Sequence, residues 1–169
     1  MDGADPQREE VPRSLFPPVP PGAGELLRQS AEAWLDTRRA QGYLLEADRD
    51  YGDDLGVVVG CYKFHFYKGL LREALPYAQR AAMLMGRRLG LPDSFSEVRP
   101  DNADFSGYEA GPRFYLFALK AAGYLHARLG EIPEALSILE TIRRLDSADR
   151  LEVSRLIALI EQGVGEEEE

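Results

Sequence analysis

From Gly24 onward the apolar residues return every three or four positions, the period of an amphipathic helix. Leu27, Ala31, Trp34, Leu35 and then Tyr43 to Leu45 fall on one face and predict a first helix over about 24–48, with Trp34 packed inside. Gly52, Asp53 and Asp54 interrupt it and offer a cap to a second helix, about 54–68, whose apolar side is Val57, Val58, Cys61, Tyr62 and Phe64. Gly69 ends that helix. A third, about 70–88, follows with almost no loop, so the two lie antiparallel. A fourth over about 113–129 ends at Gly130, and a fifth covers about 132–145. Asp149 with Glu152 three positions on reads as a capping box for a last helix reaching about Gln162. The expected fold is all-α, with about six helices.

The helical period fails in two places. Residues 1–22 close on the run PPVPPG, and proline both fixes φ and removes a backbone donor, so an extended or disordered leader is expected there. Residues 90–112 carry neither a helical nor a strand period, and a loop of that length inside a domain is usually functional or disordered. Phe95, Phe105 and Tyr108 are its candidate anchors if it closes as a lid over a binding groove. The body, 23–163, is then one helical domain with an insert at 90–112, and 164–169 is an acidic tail.

Two segments superpose with a shift of 61 residues: CYKFHFYKGLLREALPYAQRAA from Cys61 and AGYLHARLGEIPEALSILETIRR from Ala122. Gly69 falls on Gly130, Arg72-Glu73-Ala74-Leu75 on Pro133-Glu134-Ala135-Leu136, and His65 on His126. A glycine ends one helix, a few residues turn the chain, and a small alanine lets the next helix approach closely. This pattern resembles the tetratricopeptide repeat family, in degenerate form. Gly123, Gly130 and Ala135 occupy the small-residue, turn and close-packing places of the better copy, while Ile142 and Ser147 replace an alanine and a proline. In the other copy Gly69, Ala74 and Ala81 match and Tyr62 departs. The resemblance implies antiparallel hairpins stacked as a short α-solenoid, with the remaining helices finishing the stack.

It also implies a concave groove lined by the first helix of each pair. Carried across, the inward positions are Val59, Lys63, Phe66 and Tyr67 in one copy, and Phe117, Lys120, Tyr124 and Arg128 in the other. The family's clamp for chaperone C-termini does not carry over, because Val59 and Lys63 stand where it needs a lysine and an asparagine.

Charge and chemistry narrow the function. The chain carries −9 in total, partly from Glu166–Glu169 and the acids of residues 2–10, which disfavours a nucleic-acid partner. Cys61 is the only cysteine, so intrachain disulfides and cysteine-based zinc sites are excluded and a reducing, cytoplasmic setting is expected. There is no secretory signal and no apolar run of membrane-spanning length. His65 and His126 lack a ligand partner at helical spacing and read as packed side chains, and Cys61 as a buried small hydrophobe. No phosphate loop or nucleophile motif appears, so neither cofactor nor metal is expected and the chain reads as a non-enzyme.

The lysines, Lys63, Lys68 and Lys120, all fall near the groove among aromatic rings. That mixture suits an extended acidic and apolar segment of another protein. The expected function is therefore an adaptor or assembly factor. A dedicated chaperone of a bacterial secretion system, or a structural subunit self-assembling through its end helices, are the alternatives.

Overall fold

A computed structural model describes residues 17–167 and, among them, shows seven α-helices and no strand. These are α1 (Pro21–Glu32), α2 (Thr37–Tyr51), α3 (Leu55–Tyr67), α4 (Leu71–Arg88), α5 (Ala110–Arg128), α6 (Ile132–Leu145) and α7 (Val153–Glu167), with a short 3₁₀ turn at Phe95–Glu97. Successive helices pack as antiparallel neighbours. The pairs α3–α4, α4–α5 and α5–α6 form the body, α1–α2 a separate hairpin beside α3, and α7 lies on α6. The all-helical hairpin stack expected from the sequence is what the chain builds.

Gly69, Gly90 and Gly130 set the turns, with φ of 72°, 71° and 79°. Each sits two residues past the last helical residue, where the left-handed conformation is open to glycine at no steric cost. The hydrogen bonds repeat. Leu70 N–H reaches the His65 carbonyl at 2.8 Å and Glu131 N–H the His126 carbonyl at 2.9 Å, while Leu91 N–H reaches the Gly86 carbonyl at 2.8 Å. The second copy closes further through Gly123. A Cβ there would lie 2.9 Å from Leu139 Cδ2, so only a glycine permits this approach of α5 to α6.

Several expectations need correction. The single helix over 24–48 is two helices, turned back at Ala33–Asp36, where Asp36 accepts the Arg39 N–H at 3.1 Å and caps α2. One straight helix of that length would run about 37 Å, well beyond the roughly 20 Å of α3, and folding it keeps both halves against the body. Trp34 consequently sits on the turn and is 39% exposed rather than packed inside the stack. Its ring meets Phe64 edge-on at 5.4 Å, and the Lys68 ammonium lies 4.1 Å above it.

The last helix begins at Val153 and reaches Glu167, past the expected end at Gln162 and into the stretch read as a tail. Asp149 and Glu152 are both left-handed, with φ of 49° and 54°. Glu152 therefore stands outside α7 and closes no capping box. Asp149 still accepts the Ser154 N–H at 3.3 Å, and the buried Asp146 accepts that of Leu151 at 3.0 Å, which ties down the turn.

The insert is ordered against the body. Leu91, Val98 and Phe105 are buried, and Arg144 donates to the Val98 carbonyl at 2.8 Å. The helix after it starts at Ala110, earlier than expected. Of the expected leader 1–22, residues 1–16 lie outside the described residues, and Pro21 and Gly22 already belong to α1. Glu168 and Glu169 of the expected tail also lie outside them.

Candidate functional site

The first helices of the two repeat-like hairpins, α3 and α5, flank α4 and are joined on their shared face by side chains. Phe66 on α3 and Tyr124 on α5 meet with ring centroids 6.2 Å apart. Phe66 also stacks on Tyr62 at 5.7 Å and takes the edge of Tyr67 at the same distance, so the aromatic floor is continuous. Arg128 donates to the Tyr124 hydroxyl at 2.7 Å and lies over its ring at 5.7 Å, which holds the guanidinium at the floor's edge. Lys63 is exposed beside Phe66, and Tyr67 is exposed as well. Val59 and Phe117 are half-buried.

Two rims bound this floor. On one side the segment leading into α1, and α1 itself, cover two glycines of α3: a Cβ at Gly56 would lie 2.7 Å from Val19 Cγ1, and one at Gly60 would lie 3.2 Å from Leu27 Cδ2. On the other side the turn before α7 is pinned by Lys120, whose ammonium donates to the Leu151 carbonyl at 2.7 Å. Lys120 is thus committed to the protein's own backbone. Lys68 faces away from the floor, capping the ring of Trp34 and donating to its carbonyl. Of the three lysines read as groove cations, the fold leaves Lys63 in that role, with Arg128 as the second cation.

The insert does not close over this face. Phe95 lines a different cavity of about 560 Å³, enclosed by α4, α5, α6 and the start of the insert, and none of the eight groove residues lines it. Phe105 packs against Tyr115, 6.3 Å between centroids, while Tyr108 is solvent-exposed under Arg150 at 4.4 Å. Met83, Leu119 and Tyr115 give the cavity its apolar wall, and burial pushes the Tyr115 phenol up to about 12. At its floor Gln79 and His126 meet through their Nε2 atoms at 3.4 Å.

His126 and His65 are both buried, as expected of packed side chains, but their surroundings differ. His65 Nδ1 bonds the Cys61 carbonyl one turn back at 2.7 Å, and its ring stacks on Tyr77. His126 Nδ1 instead faces Glu131 Oε1 at 3.8 Å, and neither atom has a hydrogen-bond partner. Superposing the copies carries the signal for this. Glu131 falls on Leu70, so the second turn has a carboxylate where the first has an apolar residue.

Cys61 is fully buried, and burial pushes its thiol up to about 12, so it stays protonated near neutral pH. Among the described residues no helix is long and apolar enough to cross a membrane, and no three His, Cys, Asp or Glu side chains gather as a metal ion would need.

No family model matches the chain, and no solved structure matches it. A relative does. The uncharacterized 19.8 kDa protein in the nifW 5′ region of Azotobacter chroococcum mcd 1 is 37% identical over 124 residues, covering 72% of this chain and 69% of that protein. With that identity over more than two thirds of both chains, this protein belongs to the family of the Azotobacter nifW 5′-region protein.

Proposed function

We propose that the protein is a tetratricopeptide-like adaptor or assembly factor, working in the cytoplasm, that holds an extended segment of another protein on the α3–α5 face. The observation that carries this reading is the Phe66–Tyr124 contact, which joins two helices otherwise separated by α4 into one aromatic surface. Exposed Tyr67 enlarges that surface, and Lys63 and Arg128 supply positive charge in a chain of net −9. Rigid aromatic anchors flanked by cations suit a ligand strand with both apolar and acidic side chains.

The test is partner capture with the tagged native chain and with Tyr124→Ala and Lys63→Glu variants. Loss of an aromatic anchor costs about 2 kcal/mol, roughly 30-fold in affinity. Both variants are expected to lose the partner while keeping the native unfolding midpoint. Undiminished capture by both would end the groove reading. Lys120 is a poor probe, because replacing it also frees the turn at Leu151.

A second reading, self-assembly through the end helices, is favoured by exposed apolar side chains at the two ends: Leu35 beside Trp34, and Leu159 on α7. Sedimentation at several concentrations separates the two, since a strict monomer excludes self-assembly.

A further inference from the structure

The two repeat-like hairpins part company beside their shared histidine. In the first, Tyr77 stacks on the His65 ring at 5.4 Å, and His65 Nδ1 bonds the Cys61 carbonyl. A shift of 61 carries Tyr77 to Ile138. The shorter side chain supplies no ring to cover His126, and both residues line the cavity of about 560 Å³ among α4, α5 and α6. That volume falls within the roughly 300–1,000 Å³ of small-molecule sites.

The lining is mostly apolar. Tyr115 lies close to α4 because residue 86 is a glycine, whose Cβ would stand 3.2 Å from Tyr115 Cε2. Phe95 of the insert also lines the cavity, and Met83 stands at its partly exposed rim. Such walls suit an aromatic ring, since rings pack offset or edge-on against one another and thioethers contact ring edges favourably.

The polar groups select one kind of substituent. His126 is only 8% exposed, and its Nδ1 faces Glu131 Oε1 at 3.8 Å. Arg72 lies 3.9 Å from the same oxygen, which favours the charged carboxylate. The carboxylate in turn favours the imidazole proton on Nδ1, leaving the Nε2 lone pair as an acceptor. Nε2 meets Gln79 Nε2 at 3.4 Å, longer than a well-formed hydrogen bond. An acceptor and a donor therefore stand side by side on the cavity wall. A hydroxyl answers both, donating to His126 Nε2 while its oxygen accepts from the Gln79 amide. A carboxylate has no proton for Nε2, and an ammonium has no lone pair for the amide. At the rim Arg87 pairs with Asp93 at 3.5 Å, and Glu134 adds negative charge, so no surplus of positive charge draws an anion.

We propose that this cavity binds a small phenol-like molecule, its ring among Phe95, Met83 and Tyr115 and its hydroxyl between His126 and Gln79. None of the groove residues lines the cavity, so the site stands apart from the groove reading.

Titration of the full chain with 4-ethylphenol, followed by amide NMR, tests this directly. Saturable shifts are expected at Leu119, Ala122 and Ser137, with Kd of about 1 mM or tighter. Ethylbenzene, which lacks the hydroxyl, and 4-ethylanisole, which keeps the oxygen but not its proton, are each expected to bind about tenfold more weakly. Ile138→Tyr, which puts the first copy's ring in the second, is expected to abolish the shifts. Met83→Trp fills the cavity from the exposed rim and is expected to do the same without disturbing the core. The proposal is overturned if 4-ethylphenol gives no saturable shifts, if they centre on Phe66 and Tyr124 instead, if ethylbenzene binds equally well, or if Met83→Trp leaves binding unchanged. None of these results bears on partner capture at the α3–α5 face, which the Tyr124→Ala and Lys63→Glu variants test separately.

Discussion

Leu139→Ala is expected to lower the unfolding free energy by about 4 kcal/mol, toward the upper end of the roughly 2–5 kcal/mol range for buried leucines. Leu139 is fully buried, and its branch fills the space that Gly123 leaves on the facing helix. A truncated leucine is least costly where neighbouring side chains can move into the gap. Gly123 has none, so that side of the void stays open. Urea titration should show a lower midpoint with an unchanged slope, as expected when contacts are lost but the surface exposed on unfolding is not.

The pair also predicts a reversal of sign. Gly123→Ala alone should destabilise, because the new Cβ would sit 2.9–3.0 Å from Leu139 Cδ2 and Cγ. In the Leu139→Ala background the same change should restore part of the loss. Additive effects in the double variant would show that the two positions do not share the space.

The second large effect is local. Arg80→Ala is expected to cost about 2 kcal/mol, in the range for hydrogen bonds to charged groups. Arg80 on α4 pairs with Asp48 on α2, and the Tyr77 hydroxyl donates to the same carboxylate at 3.3 Å. Both members of the ion pair keep partial access to water, so the full cost of a stranded buried charge does not apply. What gives the pair its weight is position. The hairpin α1–α2 packs well on itself but only lightly on α3, and this pair anchors it to α4. Hydrogen exchange should therefore show faster opening of α2 amides such as those of Leu44 and Ala47, with α5 and α6 unchanged. Equal protection of α2 in the native and variant chains would sink the idea that this pair anchors the hairpin.

The legible parts of the fold are those whose physics is local. Glycines at 69 and 130 announced helix ends, since left-handed backbone selects them, and Asp54 capped α3 where the sequence placed a cap, accepting the Val57 N–H at 3.1 Å. The α1–α2 turn was hidden because Ala33, Trp34 and Leu35 carry no breaker and keep the apolar period running through it. Only Asp36 hints at a new start. The insert was illegible for the opposite reason: Val98 and Phe105 reach the core from backbone with no regular period.

The candidate site divides the same way. The repeat resemblance implied Phe66 and Tyr67 as inward positions of one helix and Tyr124 and Arg128 as those of another, and the fold joins them. Which cations stay available could not be read, because the oxygens that take Lys68 and Lys120 are backbone carbonyls 34 and 31 residues away in the chain.

The turn at Gly90 has the same hydrogen bonds as those at Gly69 and Gly130, yet it launches the insert instead of a helix. In an unbroken array the next hairpin would dock at once and shield the joint. Here Leu91, Val98 and Phe105 provide that shielding from an irregular strip of chain, latched by Arg144. The stack therefore lacks a free edge at its middle joint. It can be lengthened only beyond α1 or α7, so added repeats, or a second copy of the chain, would have to be accommodated at those ends.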